Sequence, residues 1–285
     1  MIRIVSAGLL TTVQDLGRPG YADIGVSASG AADALSLRAG NLLVGNPPHA
    51  AALEMTMTGG AFEFGCDALA VFTGAVPVWE PVKVRAGDVL RCPPLAAGAR
   101  AYLCVRGGID APRIMGSASA HVTTGLGGRA LRRMDELRIG IPTGPEPPLR
   151  SVTPPARRAV LRVTPGPQSD WFGNEFYAVQ YRVSEHSDRM GVRLEGPEVP
   201  APERQLITEG VPLGAVQIPP GGQPIILFVE HQTTGGYPKI ANVITADLHT
   251  VGQLRPRDPV SFERVDFDTA LPALREQEKW LAELV

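Results

Sequence analysis

Three stretches of the chain gather side chains able to bind anions or move protons. The first, TTVQDLGRPGYADIGVSASGAAD (Thr11–Asp33), sets Gln14, Asp15 and Arg18 close together, with Gly17 and Gly20 loosening the backbone. Arg18 there is either an anion fork oriented by Asp15 or simply the ion-pair partner of Asp15. Ser27, Ser29 and Gly30 precede a helix whose free N–H groups can receive a carboxylate or phosphate, or else Ser29 is its N-cap. The second stretch, VSEHSDRMGVRLEG (Val183–Gly196), crowds His186, Ser187, Asp188, Arg189 and Arg193. It reads equally as a solvated charge cluster and as a binding site for a polar small molecule. The third, HQTTGGYPK (His231–Lys239), is longer than the roughly 2–5 residues that a hairpin needs. Gln232, Thr233 and Thr234 supply neutral donors and acceptors. Gly235 and Gly236 permit close backbone approach, and Tyr237 adds a wall with a hydroxyl. Lys239 is one of three lysines, beside Lys83 and Lys279, in a chain that otherwise uses arginine. Unlike a guanidinium, its amine can give up a proton when desolvated.

Other chemistries lack their residues. There is no GxxxxGK phosphate loop, no HExxH, no GxSxG elbow and no Cys/His set at metal-ligand spacing, so no metal site is expected. No Met-Lys pair exists to carry biotin on this chain. A net charge of -2 offers no basic face for nucleic acid. No apolar run approaches the ~20 residues of a membrane span. The start, MIRIVSAGLLTTVQD, turns polar too early for a signal peptide. Three widely spaced cysteines, Cys66, Cys92 and Cys104, suit a reducing compartment, and a cytoplasmic location is expected.

The elements that must hold these stretches are mostly β. The 285 residues, 44% of them hydrophobic, suffice for two domains with real cores. Short apolar runs punctuated by 32 glycines and 27 prolines predict many strands and turns. Strands are expected at Ile2–Val5, Ala68–Thr73, Arg100–Val105, Ala159–Thr164, Ile225–Val229, Ile240–Ile244 and Pro259–Phe262. Helices are expected near Ala32–Leu43, with Asp33 in the first turn, and over Thr269–Leu284, where Leu271, Leu274, Leu281 and Leu284 share a face. The segment PTGPEPPLRSVTPP holds six prolines and reads as a stiff linker. The division that follows is residues 1–141, a linker over 142–156, a second β domain over 157–267, and a C-terminal helix over 268–285. The halves repeat each other. CPPLAAGARAYLCVRGGIDAPRIMG matches IPPGGQPIILFVEHQTTGGYPKIAN, and GRALRRMDELRI matches GQLRPRDPVSF. Two related barrels or closed sheets are expected, since closure removes exposed strand edges. The second copy carries the longer loop after its strand, and elaborated loops on a rigid scaffold are where function concentrates. The expectation is that Gln14–Arg18, Ser187–Arg189 and Gln232–Lys239 line one hollow.

Taken in order, VQDLGRPGYADIGVSASGAAD, AGNLLVGNPPHAAALEMT, RGGIDAPRIMGSAS, SDRMGVRLEG and QTTGGYPKIANVITADLHTVGQLRPRD resemble the biotin-dependent carboxyltransferase-type family. That family includes the C-type subunit of 5-oxoprolinase, also called allophanate hydrolase subunit 2. The resemblance runs from about Ile2 to Phe262. It implies two cyclophilin-like β-barrel domains with a few short helices and a C-terminal helix. It implies a smaller companion, the B-type subunit of 5-oxoprolinase (allophanate hydrolase subunit 1), and a third oxoprolinase subunit. The implied reaction is ATP-dependent opening of 5-oxoproline to L-glutamate, with ATP, with or without Mg²⁺, held by this chain or by a partner. Such a site needs cations, for which Arg18, Arg189 and Lys239 are available. Gln14, Gln232 and Thr234 are its neutral donors, and Asp188 or Asp33 its base or Mg²⁺ ligand. Asp188, Lys239 and Arg189 are the catalytic candidates. Gln14, Asp15, Arg18, Asp33, Ser187, Gln232, Thr234 and Tyr237 are the substrate-binding ones. Two rival readings are carboxyl transfer from a biotin carried elsewhere, as in urea carboxylase, and non-catalytic binding of a kinase inhibitor. The second calls for aromatic-rich loops, whereas aromatic residues make up only 6% of the chain.

Overall fold

A computed structural model describes residues 1–96, 98–200 and 204–284. Strands dominate, and the chain divides into two compact units. The first comprises residues 1–18, 29–156 and 279–285, and the second residues 19–28 and 157–278.

The first unit holds two antiparallel five-stranded sheets. One runs Leu10–Gln14, Ala52–Thr56, Arg100–Val105, Ala68–Gly74, Val82–Val84 in spatial order. The other runs Val89–Arg91, Ala61–Phe64, Ile2–Ser6, Glu136–Ile139, Ile109–Asp110. Ile2, Ile4, Phe62 and Phe64 of the second sheet share one core with Leu53, Met55, Val71 and Leu103 of the first. The helix Ala34–Leu43 packs on Ala68–Gly74 and Arg100–Val105. Both strands therefore read as unbroken apolar runs, since both their faces are covered. Gly40 sets how closely that helix approaches. A Cβ there would lie 2.7 Å from Cys104 Sγ and 3.0 Å from the Thr73 side chain. The Thr73 hydroxyl donates to the Ser36 carbonyl at 2.8 Å. Val152 of the proline-rich segment bridges Trp79 through two backbone hydrogen bonds of 2.9 and 3.0 Å. Arg106 donates to the carbonyls of Gly144 and Pro145 in the same segment. This stretch is thus anchored in the first unit.

The second unit is a closed barrel. Its order is Val160–Pro165, Lys239–Val243, Ala215–Gln217, Ile225–Leu227, Gly191–Glu195, Tyr181–Val183, Pro259–Arg264. Closure is made by a parallel pair, with Val160 to Val163 opposite Ser261 to Arg264. Buried residues alternate with exposed ones along Tyr181–Val183 and most of Gly191–Glu195, and Phe176 stacks on Phe262 at 4.5 Å. The loop that follows Ile225–Leu227 does more than turn. Its Thr234–Gly235 forms a separate two-stranded ladder with Glu209–Gly210. The counterpart in the first unit is a tight turn, closed by the Gly108 N–H on the Val105 carbonyl at 2.8 Å.

The C-terminal helix spans Phe267–Ala282. Leu281 and Leu284 are buried, whereas Leu271 is exposed, so the apolar face is used mainly at its far end. No helix among the described residues is long and apolar enough to cross a membrane.

Candidate functional site

Of the three stretches singled out in the sequence, Gln14–Arg18 belongs to the first unit. Ser187–Arg189 and Gln232–Lys239 belong to the second. In the first unit, the strand Leu10–Gln14 delivers Gln14 and Asp15 to the segment Ser117–Ala120. Gln14 is fully buried. Its Nε2 donates to the Ala120 carbonyl at 2.9 Å and to Thr12 Oγ1 at 3.0 Å. Its Oε1 is buried and meets no donor among the described residues.

Asp15 accepts from Gly17 N (2.8 Å), Ser117 Oγ (2.6 Å), Ser119 Oγ (2.6 Å) and Ala118 N (2.8 Å), with Arg113 Nη1 at 3.4 Å. Burial pushes this carboxyl up. The Ser117 and Ser119 hydroxyls, then the Ala118 and Gly17 amides, outweigh burial and hold it below its ordinary value. Asp15 is therefore an ionised post that fixes two loops, with its lone pairs spent on that task.

Arg18 is buried and donates from Nη2 to the Ser119 carbonyl and from Nε to the Ile114 carbonyl at 3.4 Å. The sequence offered Asp15 as its orienter, and the structure supplies these carbonyls.

Asp33, expected in the first turn of the helix, is instead its N-cap. It accepts from Ser36 N at 2.9 Å and Ser36 Oγ at 2.6 Å. Ser29 lies upstream of the cap, in a left-handed conformation with φ of 55°. With both Asp33 oxygens committed to Ser36, the residue does not fit a Mg²⁺ ligand. Glu54 and Tyr102, which no sequence signal marked, hold this helix start. Glu54 Oε2 accepts from Ala32 N at 2.8 Å and from the Tyr102 hydroxyl at 2.7 Å. Burial first, then the charges of Glu54 and Asp33, push the Tyr102 hydroxyl well above its ordinary value, so it stays a neutral donor.

A cavity of about 680 Å³ in this unit is lined by Cys66, Lys83, Arg85, Arg106 and Glu146 among others, and by none of the candidate residues. Lys83 and Glu146 pair there at 2.8 Å.

In the second unit, Ser187 and Asp188 shape a turn. Asp188 Oδ1 accepts from Met190 N at 2.8 Å and Gly191 N at 3.1 Å. Ser187 Oγ accepts from Arg193 N at 3.0 Å. Asp188 is exposed, and its Oδ2 has no hydrogen-bond donor among the described residues. Arg189 is buried and pairs with the buried Glu230, Nε to Oε1, at 2.5 Å. The Glu230 N–H also donates to the Arg189 carbonyl at 2.8 Å. The turn and the start of the His231–Lys239 loop are thereby joined.

Lys239 closes that loop and is 2% exposed. Its ammonium pairs with Glu209, which also accepts from Gln168 Nε2 at 2.9 Å. The Lys239 hydrogen bond first and the Gln168 one second hold the Glu209 carboxyl below its ordinary value. Gln217 stands directly opposite Lys239 in the strand ladder, and its Oε1 accepts from Gln232 Nε2 at 3.4 Å. Thr234 and Tyr237 are exposed on the loop. Gln168, Glu209 and Gln217 are the members that sequence reasoning missed. Only the dependence of a buried amine on a partner could have hinted at Glu209. Burial pushes the His231 imidazole down, partly offset by the Gln232 carbonyl, so it stays neutral near pH 7.

The fold and these clusters define a β-rich chain with buried cations, each held to a carboxylate or to carbonyls, and carboxamides beside them. Residues 24–264 match the family described as "Carboxyltransferase domain, subdomain A and B". The chain belongs to that carboxyltransferase-domain family. It is 37% identical to the C-type subunit of 5-oxoprolinase from Escherichia coli (strain K12), over all of this chain and 97% of that protein. It is 36% identical to the C-type subunit of 5-oxoprolinase from Haemophilus influenzae, with the same coverage. Among solved structures, the urea carboxylase of Kluyveromyces lactis superposes with a TM-score of 0.89 at 29% identity, covering all of this chain and 29% of that one.

Proposed function

We propose that this chain is one component of an ATP-dependent lactam hydrolase that opens 5-oxoproline to L-glutamate, working with a smaller subunit and with a third one. The observation that supports this most is end-to-end similarity to two proteins named as the C-type subunit of 5-oxoprolinase, each matched over 97% of its length. The match to urea carboxylase, by contrast, covers a minor part of a much longer chain.

A lactam is a resonance-stabilised amide that water attacks poorly. ATP, as co-substrate, can phosphorylate the amide oxygen. Water then adds to the activated carbon, and the C–N bond breaks as the nitrogen takes a proton. A second water cleaves the resulting acyl phosphate to glutamate and phosphate. Residues of this chain would then bind, orient and move protons. Lys239 and the carboxamides beside it would bind and orient the substrate. Asp188 Oδ2, which holds no protein hydrogen bond among the described residues, would take a proton from attacking water. Arg189, fixed by Glu230, would position the Asp188 turn. No residue here is assigned to hold ATP, and a partner subunit is proposed to carry it.

The test is reconstitution. The chain is mixed with its partner subunits, and glutamate release from 5-oxoproline and ATP is followed with each component omitted in turn. Lys239→Ala and Asp188→Ala should each lower the rate at least tenfold, and wild-type rates in both would remove these assignments. A second reading, carboxyl transfer from a biotin carried elsewhere, is favoured by the family match itself. Biotin-dependent carboxylation of urea without oxoproline turnover would select it.

A further inference from the structure

Three donors gather at one end of the second unit's barrel. The Lys239 ammonium and Gln168 Nε2 both donate to a single oxygen, Glu209 Oε1. Gln168 is fastened in place, since its Oε1 accepts from Lys239 N at 3.0 Å and its own N–H donates to the Lys239 carbonyl at 3.2 Å. The third donor is Gln217 Nε2. Gln217 is 1% exposed, and this nitrogen finds no acceptor among the described residues. It lies against Gly235, where a Cβ would come within 2.9 Å of it. Gly235 is the ladder partner of Glu209. A buried N–H without an acceptor is costly and calls for an explanation.

The occupant of the other two donors stands on a small element. Glu209 sits on a ladder of just two residue pairs, and its side chain is 40% exposed although the Lys239 it covers is 2% exposed. A part-exposed carboxylate on a short ladder therefore covers an amine buried in the barrel.

We propose that Lys239, Gln168 and Gln217 form a subsite for the carboxylate of a small-molecule ligand, and that Glu209 occupies it until the ligand displaces it. A free carboxylate brings two oxygens with the lone pairs to serve all three donors. Glu209, tethered to its strand, serves two. The class of ligand follows from the occupant: what fits these donors in the chain is a carboxylate. Identifying it with the carboxylate of 5-oxoproline rests on the function proposed above, but the subsite does not.

The experiment is calorimetric titration of the chain, assembled with its partner subunits, with acetate and with 5-oxoproline. Removing an internal competitor raises affinity by the inverse of the open fraction, so Glu209→Ala should tighten both about tenfold. Glu209→Gln keeps the shape, loses the charge and should act in the same direction, which covers the case in which the alanine variant fails to fold. In the Glu209→Gln background, Lys239→Met should abolish the gain, and Gln217→Leu should remove several-fold of it. Unchanged or weakened binding of both ligands in Glu209→Gln overturns the subsite. Tightened acetate binding without any oxoproline turnover keeps the subsite and rejects the proposed reaction. Oxoproline turnover with KM and acetate affinity unmoved by Glu209→Gln does the reverse.

Discussion

Replacing Asp15 by alanine isolates what its carboxylate does. The residue is 3% exposed, and its carboxylate receives two backbone N–H groups, those of Gly17 and Ala118, and two hydroxyls. The hydroxyls of Ser117 and Ser119 can rotate to other acceptors, but the two amides cannot. A buried donor left without an acceptor costs about 1–3 kcal/mol, so the two amides together predict a loss of roughly 3 kcal/mol or more. That corresponds to roughly a hundredfold rise in the local opening equilibrium. Because the chain has two units, a single global unfolding curve would blend transitions. Native-state hydrogen exchange at the Gly17 and Ala118 amides reads the loop directly. Protection there should fall about a hundredfold in Asp15→Ala, while the barrel amides of Leu161 to Thr164 keep theirs. The effect has a pH signature. The folded carboxyl is held below its ordinary value of 3.8, so its contribution is full above that value and is lost as pH falls through the folded value. The difference between wild type and variant should be flat from neutrality to about pH 5 and shrink below 3.8. Unchanged protection at neutral pH, or a difference that grows in acid, would refute the account of Asp15 as an ionised post.

Other perturbations carry expected outcomes of their own. Arg189→Met removes the ion-pair partner of the buried Glu230 and should cost about 3–5 kcal/mol, with most of it recovered in Arg189→Met/Glu230→Leu, as read by thermal melting of the second-unit transition. Gly40→Ala drives a Cβ to 2.7 Å from Cys104 Sγ; it should destabilise the first unit by about 1–3 kcal/mol, and Cys104→Ala in the same chain should restore part of the loss. Gly235→Ala, at which a Cβ meets Gln217 Nε2, should raise KM for 5-oxoproline in the assembled enzyme while leaving the melting temperature within a degree or two of wild type.

Strand runs were legible wherever one chemical pattern met one environment. Arg100–Val105 was expected and found with the same ends, and Ala68–Gly74 differs by one residue, because both strands are covered on both faces and read as continuous apolar runs. Short half-exposed strands such as Val82–Val84 and Val89–Arg91 were not read, since three residues carry too little period to separate from a loop. The strand Lys239–Val243 begins one residue before its apolar run, at a lysine whose burial no local pattern announces. In the candidate site, the three stretches were visible as clusters of polar residues. Their partners were not. Ser117 and Ser119 lie about a hundred positions from Asp15, and Glu209 thirty from Lys239, and only the folded topology makes them neighbours.

The division of labour within these clusters follows from which atoms the fold has already used. Asp33 spends both oxygens on Ser36, and Asp15 spends its own on two loops. A carboxylate so committed cannot also take a proton from water without breaking the structure that holds it. Among the atoms left without a hydrogen-bond partner in the described residues are different ones, Gln14 Oε1, Asp188 Oδ2 and Gln217 Nε2. Two are buried where an unmet hydrogen bond is costly, so each predicts a ligand atom of the opposite kind, a donor toward Gln14 and an acceptor toward Gln217. An ionised carboxylate presents acceptors only. It can therefore serve Gln217 Nε2 and has nothing to offer Gln14 Oε1. Gln14→Leu should leave acetate binding unchanged, whereas Gln217→Leu in the Glu209→Gln background should weaken it. If Gln14→Leu weakened acetate as much as Gln217→Leu did, the unmet atoms would not be reporting ligand chemistry at all.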